Sequence, residues 1–90
     1  MINKIQKIFA TKIGDFTIST IYDPEGFVTG GKDGLYETMI FLGGEDTAGY
    51  GSVLDYQVRV RSFDEALKLH QELIKEVYET PAKFLAMDEY

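Results

Sequence analysis

The sequence contains no cysteine, and that absence removes disulfides, thiolate nucleophiles and cysteine-ligated zinc. It also has no tryptophan, only two prolines and a single histidine, His70. One histidine and no cysteine leave nucleophilic catalysis without a constellation, and no Gly-x-Ser-x-Gly elbow surrounds Ser19, Ser52 or Ser62. Positive charge is scarce: nine Lys and Arg against fifteen Asp and Glu give a net charge of −6. That balance argues against binding a nucleic-acid backbone. No run of about 18 apolar residues and no basic-then-apolar leader occurs, so neither a membrane span nor a secretion signal is predicted and a cytoplasmic location is expected.

What is present is ordinary globular material: 44% hydrophobic, 13% aromatic and 27% charged residues, too apolar for a disordered chain. Ninety residues predict one domain, 1–90, with a modest core that buries about 60–65% of the unfolded surface. Without disulfides, its stability must come from packing or from oligomerisation.

Residues 5–13 place Ile5, Phe9 and Ile13 on one side of an extended chain, and Phe16, Ile18, Thr20 and Tyr22 alternate with Thr17 and Ser19 over 16–22. The two runs flank Gly14–Asp15, a Gly-X pair that suits a type II′ hairpin turn. Ile2, Ile5 and Phe9 also fit helical spacing, so a helix over 2–12 is the competing reading. Residues 23–34 hold four glycines and a proline and read as a loop. Leu35–Leu42 is nearly continuous apolar and aromatic sequence and predicts a strand central in its sheet. A second glycine-rich loop spans 43–52, and Leu54, Tyr56, Val58 and Val60 then alternate with polar residues in a strand over 54–61. Ser62 and Glu65 form a capping-box pattern that opens a helix over 63–79, with Phe63, Ala66, Leu67, His70, Leu73, Ile74 and Val77 on one face. Pro81 ends it, and a short helical turn is expected in the tail 81–90.

The order ββββα predicts an α+β fold: a four-stranded, mainly antiparallel sheet with one C-terminal amphipathic helix on one face. A single helix leaves the other face open, and Phe9, Tyr36 and Ile40 are expected there. Such a patch would favour a homodimer or higher oligomer.

Three groups of residues invite a chemical reading. His70 on the apolar helix face reads as a packed imidazole whose nitrogens meet a backbone carbonyl or a tyrosine hydroxyl, because a helix pressed on a sheet offers no substrate cleft. Residues 23–55 hold Asp23, Glu25, Asp33, Glu37, Glu45, Asp46 and Asp55 against Lys32 alone, so seven acids and one base put −6 in this third of the chain. The spacing fails the calcium-loop pattern, and the glycine stretches fit neither a P-loop nor a dinucleotide turn. No metal or cofactor is therefore predicted. An acidic face that docks on a protein partner remains. Tyr50 and Phe27 sit in the loops, where no core position demands them, and aromatic side chains of this kind serve recognition surfaces. The candidate binding residues are Tyr50, Glu45, Asp46, Phe27, Glu25 and Asp23.

Tyr36-Glu37-Thr38-Met39-Ile40-Phe41, then Asp55-Tyr56, Arg59, Arg61-Ser62, Glu65-Ala66 and His70, resembles a group of small proteins encoded by bacteriophages and prophages. Those proteins carry a Tyr-Glu-Thr-Met-Val-Phe strand and a Glu-Ala-x-x-x-His helix start. The likeness covers residues 36–78, and Leu69 departs from it where the group often has glycine. It implies a phage or prophage source, hence a host-cell cytoplasmic setting, and carries no catalytic residues. The resulting expectation is a non-enzymatic accessory protein that binds a host or phage protein, as an inhibitor of a host or defence factor. A small-ligand binder that sequesters a nucleotide signal and a virion-associated structural role are the alternatives.

Overall fold

A computed structural model of the chain describes residues 5–24, 34–43 and 52–87. Four strands, β1 (Gln6–Ile13), β2 (Phe16–Asp23), β3 (Leu35–Leu42) and β4 (Ser52–Val60), precede helices α1 (Phe63–Glu79) and α2 (Pro81–Leu85). The strands form one antiparallel meander in the order β1-β2-β3-β4, and α1 packs across β1, β2 and β3. This is the expected α+β arrangement.

Local chemistry explains the first hairpin turn and the ends of α1. Ile13 pairs with Phe16 around Gly14, whose φ of 59° is the positive angle a type II′ turn requires at its first central residue. The helical alternative for 2–12 therefore fails over the described part of that segment: β1 pairs along its length with β2. Ser62 Oγ accepts the Glu65 N–H at 3.1 Å, as a capping residue should. The return half of the expected capping box lands one residue early, on the Arg61 N–H at 3.3 Å. Thr80 closes α1 by directing both its N–H and its hydroxyl to the Glu76 carbonyl, and Pro81 starts α2, where its missing N–H costs nothing.

The core lies between the sheet and the helices. Phe16, Ile18, Ile40, Leu54, Leu73, Val77 and Phe84 are all buried in one cluster. Ile18 faces Ile40 across β2 and β3, and Phe84 of α2 meets Phe16 edge to face at 6.4 Å. Burying one such side chain contributes about 1.5–3 kcal/mol. Along β4 the register slips: two steps on β3, Met39 to Phe41, face four on β4, Gln57 to Val53. The irregularity keeps both Leu54 and Tyr56 against the core.

This arrangement corrects two expectations. Ile40 is fully buried under the helix rather than exposed on an open face, and Phe9 and Tyr36 are half-buried on the helix side as well, each against Phe63. Strand parity is the reason. Ile40 opposes Ile18, so the even positions of β3 share the covered face, and the odd positions Glu37, Met39 and Phe41 take the other. Asp23, expected in a loop, is instead the last residue of β2, paired with Leu35 and fully buried. Among the described residues no helix is long and apolar enough to cross a membrane.

Candidate functional site

Of the six candidate binding residues, Tyr50, Glu45, Asp46, Phe27 and Glu25 lie outside the described residues. Asp23 is described, and its burial removes it from any exposed acidic surface. Glu37, another of the seven acids of 23–55, is buried too. Two carboxylates counted toward an acidic face thus lie in the interior.

The structure assembles three other groups. The first is a chain of rings where α1 begins over the sheet. Tyr22 opposes Tyr36 across β2 and β3, with ring centroids 4.7 Å apart. Tyr36 meets Phe63 at 6.2 Å, Phe63 meets Phe9 at 5.7 Å, and Phe9 meets the His70 imidazole at 5.2 Å. Aromatic pairs at these separations contribute about 0.5–1.5 kcal/mol beyond their buried area. Phe63, expected on the buried helix face, is 45% exposed, and Phe9, Tyr22 and Tyr36 are half-buried. The belt is therefore both packed and accessible. Tyr78 and Leu85 are the other large apolar side chains exposed among the described residues. They stand near the C-terminal end of α1 and on α2.

The second group is polar and closed. His70 Nδ1 lies 2.9 Å from Thr20 Oγ1, His70 Nε2 lies 2.9 Å from Thr11 Oγ1, and Thr20 Oγ1 lies 2.8 Å from Thr38 Oγ1. Four side chains from α1, β1, β2 and β3 thus form one hydrogen-bonded row under the helix. Burial holds the imidazole below its ordinary pKa, which favours the neutral ring. Neutral histidine has one donor and one acceptor nitrogen, and threonine hydroxyls serve either role. The partners are threonines rather than the carbonyl or tyrosine hydroxyl expected, but the packed role of the imidazole is as expected. With both nitrogens engaged, His70 has no lone pair to spare for a substrate.

The third group lies on the opposite face. Glu37 opposes Ile21 on β2 and Arg59 on β4, so Glu37, Arg59 and Asp23, two residues beyond Ile21, share that face. Both carboxylate oxygens of Glu37 are buried with no hydrogen-bond partner among the described residues. Arg59 Nη2 lies 3.2 Å from Glu37 Oε2, close enough for an ion pair but off the hydrogen-bonding direction. Desolvation pushes the Glu37 carboxyl above its ordinary pKa; the Arg59 charge opposes that shift and the Asp23 charge adds to it.

No protein-family model matches the chain, and no curated protein or solved structure does so either.

The aromatic belt escaped sequence reasoning because its members come from four elements. A signal existed only in part, since Phe63 and Tyr22 each bound an element that the pattern had located and Tyr36 stands second in another. Their meeting depends on the β2–β3 register, which residues 24–34 separate.

Proposed function

We propose that the chain is a non-enzymatic binding protein that takes a protein partner on the aromatic belt of Phe9, Tyr22, Tyr36 and Phe63. The observation that carries this reading is the 45% exposure of Phe63 on top of rings that are already packed. A rigid, part-exposed aromatic cluster offers amphipathic area at little entropic cost, which is what the energetic centre of an interface needs. The one histidine has both nitrogens engaged, so the described residues offer no nucleophile and base in a cleft. Binding is accordingly favoured over catalysis. The likeness of residues 36–78 to phage and prophage proteins is the ground for seeking the partner in a bacterial host or its phage, where inhibition of a host or defence factor is the role proposed.

The test uses the full chain as bait in a bacterial lysate, with the captured protein then purified and its Kd measured. Phe63→Ala is expected to weaken that Kd by about 30-fold, the scale of a central aromatic hot spot. Its far-ultraviolet circular dichroism should stay unchanged. An equal Kd for wild type and Phe63→Ala would overturn the reading.

A further inference from the structure

The Glu37 site is the least explained feature of the molecule, and its geometry admits few occupants. A buried ionised carboxylate is retained only when its oxygens are met by donors or a counter-ion with good geometry. Among the described residues Glu37 has one cation near it, misaligned, and no donor on either oxygen. A hard cation would want several more oxygens than one carboxyl pair supplies, and among the described residues no cluster of three or more metal-ligating side chains exists. An organic ammonium would have to reach side chains that are already buried. A proton needs neither extra ligands nor an entry path.

We propose that Glu37 is a proton-binding site of the folded protein: protonated, it joins Asp23 across the β2–β3 pair as a carboxyl–carboxylate couple, and its ionisation is a pH-sensitive switch that loosens this face of the sheet. The register supports the pairing. Glu37 opposes Ile21 and Asp23 lies two positions further along β2, so the two acids are diagonal neighbours on one face. Side chains in that relation sit about 7–8 Å apart at the backbone, within reach of each other. A protonated Glu37 becomes a donor, which an ionised one cannot be, and the buried Asp23 carboxylate is the acceptor of matching chemistry. The Asp23 charge disfavours ionisation of Glu37.

The charged groups around the site set the direction of the switch. Asp23 on β2 favours the protonated form, while Arg59 on β4, 41% exposed at its side chain, favours the ionised form. Lys7 on β1 opposes Ile21 in the same row, one strand further away. The helix lies on the other face and brings no charge here. A carboxyl that binds its proton more tightly when folded adds stability at low pH. That contribution is lost as pH rises from the unfolded value, 4.5, through the raised folded one.

Two measurements on the full-length chain decide the matter. The first is the ¹³C shift of the Glu37 side-chain carboxyl followed from about pH 3 to about pH 8. A midpoint above the ordinary 4.5 supports the proposal, and one at or below it overturns it. The second compares Tm across the same pH range for wild type and Glu37→Gln, which keeps the shape and supplies a permanent donor. Wild type should lose Tm relative to the variant as pH rises, until Glu37→Gln melts about 4–8 °C higher. Parallel curves would overturn the switch. Should Glu37→Gln fail to fold, Arg59→Met serves in its place: removing the cation should move the carboxyl titration to higher pH, and an unmoved titration counts against the proposal.

Discussion

The two faces of this sheet bury polar groups in opposite ways. Beneath α1, Thr11, Thr20, Thr38 and His70 form a row in which both imidazole nitrogens and three hydroxyls are paired at 2.8–2.9 Å. On the opposite face Glu37 is as deeply buried and has no aligned donor among the described residues. The difference is one of chemistry rather than depth. Hydroxyls and a neutral imidazole can exchange donor and acceptor roles until a network closes, whereas a carboxylate only accepts. A face made of the first kind is stable at any pH that keeps the histidine neutral. A face containing the second answers to pH through the carboxyl itself.

The sharpest contrast between the faces is apolar. Ile40→Ala, under the helix, should cost about 2–5 kcal/mol in urea unfolding because it opens a cavity in the central cluster. Its neighbour Met39, half-buried on the other face, should lose clearly less on the same substitution. Equal losses would mean that both faces are cores of the same kind.

Breaking the threonine–histidine row comes next. Thr20→Val keeps the volume but strips the hydroxyl that His70 Nδ1 and Thr38 share. Its expected cost is about 1–3 kcal/mol, the desolvation penalty of the partners left unpaired. A neutral outcome would show the row to be incidental.

A smaller effect separates the faces by the sign of their pH dependence. The His70 pKa is lower in the folded state than its ordinary 6.5, so just below that pH the unfolded chain binds more protons. Stability is then lost as pH falls below about 6.5, the reverse of the trend expected from Glu37. His70→Gln should flatten that fall in a series of urea midpoints. A fall that persists unchanged in the variant would assign it elsewhere. The smallest effect lies outside both faces: Ser62→Ala removes the N-cap bond to Glu65 and should cost about 1 kcal/mol. No measurable loss would show that the Glu65–Arg61 bond is enough to hold the first turn.

Much of this architecture was legible in residue order because its signals are local. Period-2 alternation, the apolar run of 35–42, the Gly14 turn, the Ser62 cap and the Pro81 stop each act within a few residues, and they located the four strands and the long helix. β4 begins two residues earlier than its alternation suggested, at Ser52, and a backbone irregularity there is invisible to a pattern of polarity. The candidate site was less legible. Asp23 reads as a loop acid beside Pro24, yet pairing with Leu35 makes it a strand end. Exposed Phe63 reads as core from helical spacing, but Tyr36 and Phe9 cover only part of its ring.

The sequence by itself determined the elements, their order and most of the face that α1 buries, because each follows from a local pattern of residues. The tertiary structure alone decided which residues meet across β2, β3 and β4. Register over a long connection is set by the summed packing of whole strands, not by any local motif. That register gathers Tyr22, Tyr36 and Phe63 into one belt, and it places two of the counted acids, Asp23 and Glu37, buried on one face of the sheet.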